Sequence, residues 1–128
     1  MQDPSTNISL IVKTKKTTRI IGIEGEKSAK DYLKQNNYTI VTTNYYSKFG
    51  EIDIIAQKES CLVFIEVKHY KPNTMIHPIY KITKKKQSNL TKTAKTYILH
   101  HPSTTLDYQF DIILVENECV IDHIKHAF

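Results

Sequence analysis

The chain has 128 residues, enough for one hydrophobic core and too few for two. Hydrophobic residues make up 40% and charged residues 24%, a balance that excludes wholesale disorder, and no apolar run approaches the roughly 18–20 residues of a membrane span. The net charge of +5 is unevenly placed: residues 67–106 hold eight lysines and no Asp or Glu, while the other 88 residues carry 10 basic and 13 acidic groups.

Segregation of this kind points to a polyanion-binding face. The competing reading is a solvated lysine-rich helix, since 17 of the 18 basic residues are Lys. Met1-Gln2-Asp3-Pro4-Ser5 lacks a basic stretch leading into an apolar one, so no signal peptide is indicated and a cytoplasmic protein is expected. Cys61 and Cys119 are then expected as two buried thiols in strands rather than a disulfide.

In chain order, residues 1–18 read as a flexible arm rich in Thr, Ser, Asn and Lys, with a short strand at 8–12. A domain of residues 19–128 follows. The spacing of Ala29 and Leu33, with Tyr32 beside them, predicts a helix over 23–36, ended by Asn36-Asn37. Gly22 and Gly25 near its start suit a close backbone approach. Three strands are expected at 38–44, 51–56 and 61–68, separated by Phe49-Gly50 and by the polar break 58–60; such short breaks imply an antiparallel meander. The third is the most apolar and reads as a central strand. Residues 71–77 form a loop. Leu90, Ala94, Tyr97 and Ile98 make the apolar stripe of a helix over 79–99, stopped at His101-Pro102-Ser103. Strands at 108–115 and 120–124 close the chain. The long helix can return the chain for a parallel pairing, so a mixed five-stranded sheet flanked by helices, an α/β fold, is expected.

Three charged residues sit where apolar strands should exclude them. Asp53 lies between Ile52 and Ile54, and Glu66 and Lys68 flank Val67. Ionised groups in such strands are costly unless paired or bound to a metal. Side chains two apart share a face, so Glu66 and Lys68 project together. A hairpin closing around 58–60 sets Asp53 opposite Ile65 or Glu66; in the second register the two carboxylates face each other at about 5 Å between Cβ atoms. Two carboxylates suit Mg²⁺ or Mn²⁺, and a lysine beside them can orient water or offset phosphoryl charge. The plain alternative is a strand-edge Glu66–Lys68 salt bridge with Asp53 solvated.

The blocks Gly25-Glu26, Gly50-Glu51-Ile52-Asp53-Ile54-Ile55-Ala56 and Val63-Phe64-Ile65-Glu66-Val67-Lys68 closely resemble the bacterial YraN-type family, which is assigned to the PD-(D/E)XK nuclease superfamily. The resemblance runs on through Lys86, Leu90, Ala94, Tyr97, Phe110-Asp111 and Ala127-Phe128. It implies a restriction-endonuclease-like core, with Asp53 and Glu66 as metal-binding acids, the Val67 carbonyl as a further metal ligand, Lys68 as the active-site lysine and Glu26 as an acid from the first helix. Glu26, Ala29 and Leu33 share a helical face, which would aim Glu26 at the sheet; an ordinary acid at a helix N-terminus is the alternative. The chain departs from the family at His69-Tyr70 and at Gln109, where arginines are common.

The histidines do not suggest zinc, because His123 and His126 face opposite sides of a strand and neither cysteine has a C-x-x-C partner. No phosphate-cradling glycine loop is present. Tyr45-Tyr46, placed in the first turn, could stack on bases or simply cover the core edge. The expected function is Mg²⁺- or Mn²⁺-dependent hydrolysis of phosphodiester bonds in branched or processed DNA, with branched or single-stranded DNA as the partner and Lys81, Lys84, Lys85, Lys86 and Lys92 contacting it. The alternatives are a non-catalytic nucleic-acid-binding module with the same fold and a structural adaptor with an inert acidic site.

Overall fold

The computed structural model describes residues 16–70, 82–103 and 106–128. The strand expected at 8–12, the loop at 71–77 and Lys81 lie outside them. The elements run α1 (Thr18–Gln35), β1 (Thr39–Ser47), β2 (Gly50–Lys58), β3 (Cys61–His69), α2 (Lys84–His100), β4 (Asp107–Glu116) and β5 (Cys119–Ile124). The five strands form one sheet in the order β1-β2-β3-β4-β5, with β3 at its centre. Only β3 and β4 are parallel, and α2 is the crossover that returns the chain between them; the other pairs are antiparallel. This mixed sheet with a helix packed on each face is an α/β fold of restriction-endonuclease-like architecture.

Both helices begin where a threonine caps them. Thr17 is extended and its side chain accepts from the Ile20 amide, so α1 starts at Thr18 rather than at residue 23, and residues 16–18 are not an arm. Lys16 is anchored as well, pairing with Glu24 at 2.8 Å and Glu118 at 2.7 Å. Thr83 accepts from the Lys86 amide in the same way, which delays α2 to Lys84 and leaves Ile82 and Thr83 out of the helix expected from 79. Asn37, at φ 69, ends α1: its amide bonds the Lys34 carbonyl, and the Tyr38 amide bonds that of Leu33. β1 is longer than expected. Tyr45 pairs with Ile52 and Tyr46 with Glu51, so both tyrosines belong to the strand and the turn is Lys48-Phe49.

Two cores form because each strand of the sheet presents alternate residues to opposite faces. On one face Ala29 and Leu33 of α1 pack on Ile54, Ala56, Val63, Ile65, Ile113 and Val115. On the other, Leu90, Ala94 and Tyr97 of α2 pack on Ile52, Ile55, Leu62 and Phe64. Ile82, Ile112 and Leu114 extend that second layer toward Phe128. The cysteines are both free, but only Cys61 is half-buried. Cys119 is exposed, contrary to expectation, because it opens β5 directly after the surface turn at Asn117-Glu118.

A polar knot ties the far side of the sheet to α1. Asp111, only 1% exposed, accepts from His123 Nε2 at 2.7 Å, from Gln109 Nε2 at 2.7 Å and from the His126 amide at 3.1 Å. His123 Nδ1 stands 2.9 Å from the Tyr32 hydroxyl. Burial alone would raise the proton affinity of Asp111, but these hydrogen bonds outweigh it and hold the carboxyl below the usual carboxylate range. Asp111→Ala would strand three donors and is expected to cost about 3–5 kcal/mol. The sign of the pH effect follows from the lowered affinity. As pH falls below about 4 the unfolded chain takes up this proton first, so the stability Asp111 confers is lost through the acid limb. Urea midpoints measured from neutral pH downward should fall more steeply for the native protein than for Asp111→Asn; parallel curves would refute the assignment.

Candidate functional site

The site forms where β2 and β3 separate. Their register runs from Lys58 with Cys61 to Ile54 with Ile65 and ends there, one step short of Asp53 and Glu66. The side chain of Asp53 intervenes here: its Oδ2 accepts the Val67 amide at 2.8 Å. Side-chain alternation slips at the same point, since Ile52 and Ile55 both enter the α2-side core while Ile54 enters the α1-side core. On the neighbouring strand Asn44 adopts a left-handed backbone at φ 53. Asp53 is thereby carried to a cleft of about 250 Å³ beside the first turns of α1, lined also by Arg19, Glu26, Val67 and His69. A larger hollow of about 550 Å³ lies next to it around Glu24, His69 and Glu118, away from the paired carboxylates.

Glu66 is 8% exposed and belongs to the α2 side of the strand pair. Its carboxylate lies 3.7 Å from the Lys68 ammonium and 3.9 Å from that of Lys86 in α2. The structure therefore groups Glu66 and Lys68 with Lys86, and Asp53 and Val67 with Glu26, in two half-sites that meet across β2 and β3. Glu26 is half-buried. The fully buried stripe of α1 is Gly25, Ala29 and Leu33, so Glu26 flanks that stripe instead of sharing it. Its Oε1 accepts from Asn44 Nδ2 at 2.9 Å.

The electrostatics connect the two halves. Burial, and next the charge of Glu66, push the Asp53 carboxyl up to about 7; Glu51 and Glu26 add to the rise and the Val67 amide opposes it. Glu66 is also raised, first by burial and further by Glu51, against the pull of Lys86 and Lys68. Glu51 thus acts on both carboxylates, although the sequence motifs do not single it out as a site residue. The available signal is its position two residues before Asp53.

Whether these residues fit a divalent cation is decided by the donors. Among the described residues no three His, Cys, Asp or Glu side chains stand close enough to hold a metal by themselves. Mg²⁺ and Mn²⁺ do not require three: they take hard oxygens, commonly one or two carboxylates with water and substrate phosphate completing the shell. Buried Glu66 and half-buried Asp53, both of raised proton affinity and held at the same end of the hairpin, offer hard oxygens of that kind.

The remaining sequence-derived residues fall as follows. Lys84, Lys85 and Lys86 occupy the first turn of α2, which has no acidic residue, and Lys92 lies further along the helix. His69 is seated on α1 at Gly25, so a side chain at that position would require its imidazole to move. Gly22 has no such neighbour. Gln109 is occupied by Asp111.

Fold and site together define an α/β protein of restriction-endonuclease-like architecture with two acids, buried Glu66 and half-buried Asp53, at the open end of its central hairpin. Residues 25–115 match the model of the uncharacterised protein family UPF0102, the YraN family, and the chain belongs to it. UPF0102 proteins of Coxiella burnetii, Campylobacter lari and Persephonella marina are 39%, 41% and 38% identical to it over 111, 96 and 109 residues. Those alignments cover 86%, 75% and 85% of this chain and 92%, 83% and 93% of the relatives.

The raised affinity of Asp53 makes the metal-free fold pH-sensitive. The unfolded chain releases this proton near 3.8 and the folded one near 7, so the stability gained from holding it is complete below about 4 and is lost as pH rises through 7. Asp53→Asn keeps an acceptor for the Val67 amide and cannot ionise. In EDTA it should raise the melting temperature by roughly 5–10 °C at pH 8 and far less at pH 4. Equal shifts at the two pH values would contradict the ionisation argument.

Proposed function

We propose that the protein is a Mg²⁺- or Mn²⁺-dependent nuclease that hydrolyses phosphodiester bonds in branched or processed DNA. The observation that carries this reading is the gathering of two carboxylates of raised proton affinity, buried Glu66 and half-buried Asp53, at one end of the hairpin beside two lysines. Such an arrangement is unfavourable for stability alone, and perturbed carboxylates concentrate at functional sites. Asp53, Glu66 and the carbonyl oxygen of Val67 are the groups that would hold the cation. Bound there, the cation supplies Lewis-acid stabilisation of phosphoryl charge and a more acidic water. Lys68 orients that water or offsets charge on the scissile phosphate. Lys86 neutralises Glu66 in the absence of substrate, and Glu26 holds the flank of the cleft with Asn44.

Three lysines in the first turn of α2 support DNA as the substrate. Positive charge at the positive end of a helix dipole is unfavourable by a few tenths of a kcal/mol per residue, whereas a phosphate placed there is favoured both by the dipole and by the ammoniums. The same observation would stand if the protein bound nucleic acid without cleaving it, so the two readings are separated by assay.

Pure protein is incubated with Mg²⁺ or Mn²⁺ and single-stranded, duplex, flap and four-way DNA. Asp53→Ala and Glu66→Ala should each abolish cleavage and calorimetric Mn²⁺ binding, because each deletes an oxygen ligand from a site with few. Lys68→Ala should spare Mn²⁺ binding and lower cleavage by roughly 10²–10⁴-fold. Retention of Mn²⁺ binding in Asp53→Ala would overturn the site, and binding of DNA without any cleavage would leave the binding module. For duplex binding, changing Lys84, Lys85 and Lys86 together to Gln should flatten the log–log salt dependence by about 0.9 for each phosphate no longer neutralised. An unchanged slope would turn this face of α2 away from DNA.

A further inference from the structure

The β1–β2 hairpin carries exposed side chains on both of its faces near the tip. Tyr45 is absorbed by the core, edge-on to Tyr97 with ring centres 5.2 Å apart. Its neighbour Tyr46, 69% exposed, points to the opposite face, paired across the strands with Glu51 and hydrogen-bonded to its carboxylate. Two residues on, the turn presents Lys48, whose ammonium lies 5.1 Å from the centre of the Phe49 ring; that of Lys92, from α2, lies 5.4 Å from the same ring. Among the described residues neither lysine has an acidic partner. Two cations converging on one ring repel each other, and an anion between or beside them relieves that repulsion.

The tip is held in place. The Phe49 amide donates to Ser47 Oγ at 3.0 Å, and Ser47 Oγ lies 2.8 Å from Oγ1 of the fully buried Thr93. Thr93 gives its hydroxyl proton to the Asn89 carbonyl, so Ser47 must be the donor to Thr93. This chain of hydrogen bonds fastens the turn to α2 and brings Lys48 and Lys92 together. Three residues of β2, about 10 Å of strand, separate the turn from Asp53.

We propose that this tip holds unpaired nucleotides of single-stranded or splayed DNA beside the carboxylate site, with a base stacked on the exposed ring of Tyr46 on the Glu51 side of the hairpin and the strand's further phosphates passing over the tip to Lys48 and Lys92. Base–aromatic stacking tolerates any sequence and needs a base free of its partner, so this contact selects unpaired structure over duplex. The proposal deepens the nuclease reading by naming its substrate class, but it is tested by binding alone.

Fluorescence anisotropy in EDTA compares a labelled oligothymidylate with a duplex of equal length. Tyr46→Ala is expected to weaken single-strand binding about tenfold or more, the magnitude of one base–aromatic stack, and to leave duplex binding unchanged. Tyr46→Phe should restore the affinity, since it keeps the ring. Lys48→Gln with Lys92→Gln should lower the single-strand salt slope by about 0.7 for each phosphate no longer neutralised. Melting temperatures check that the exposed substitutions leave the fold intact. Failure of the native protein to bind the oligothymidylate, an unchanged affinity for Tyr46→Ala or an equal weakening on duplex would each overturn the proposal. Normal single-strand binding that depends on Tyr46, together with no cleavage under any metal condition, would instead sink the nuclease reading and leave this base stack standing.

Discussion

The hydrogen bond from the Val67 amide to the Asp53 carboxylate is the contact on which the site depends. With Ile54 and Ile65 still in register, Asp53 uses its side chain to satisfy a donor on the adjoining strand. A buried amide has to find an acceptor, and here the acceptor is a carboxylate, so the strands can separate without leaving the donor unpaired. The separation makes room for the cleft, and the slip that sends Ile52 to the α2 side turns Asp53 toward α1. One bond thus joins the end of the central hairpin to the placement of an ionisable group.

Two aspartates in this sheet, Asp111 buried and Asp53 half-buried, meet opposite electrostatic fates. Asp111 is the more deeply buried, yet three donors converge on it and its proton affinity falls. Asp53 receives one backbone donor and faces three acids, Glu66, Glu51 and Glu26, and its affinity rises. Burial acts in the same direction on both. The neighbours decide the sign. Asp111 needs nothing further, whereas the environment of Asp53 favours any cation that can reach it.

The positive side of the molecule follows the same logic. Lys86 reaches back to Glu66, while Lys84 and Lys85 stand in a helix turn whose dipole opposes them. Lys48 and Lys92 converge on Phe49 without an acid between them. Acids gathered at the hairpin opening and lysines gathered along α2 and the turn form a charge separation about one sheet end. Intramolecular pairing would neutralise more of it if stability were the only requirement.

The order of elements, the antiparallel meander, the central position of β3 and its parallel pairing with β4 were all legible in the sequence, because periodicity and short polar breaks report local hydrogen bonding and burial. The register of β2 and β3 was legible only to within one residue, with Asp53 opposite Ile65 or Glu66; the observed pairs, Lys58 with Cys61 through Ile54 with Ile65, lead toward the second. Other features were not legible. Thr17 and Thr83 moved the helix starts, and the pairing of Tyr45 and Tyr46 with β2 took them out of the turn. Cys119 was expected inside and is exposed, because strand character does not tell which end of an edge strand the core covers. The slip at Ile52, the displacement of Glu26 to the flank of α1, the influence of Glu51 on both carboxylates and the three donors around Asp111 arise from contacts between separate elements. By itself the sequence determined which residues could carry charge into the sheet and in what order the strands would meet. Only the tertiary structure decided which charges face one another, because alternation along a strand breaks wherever a side chain replaces a backbone partner.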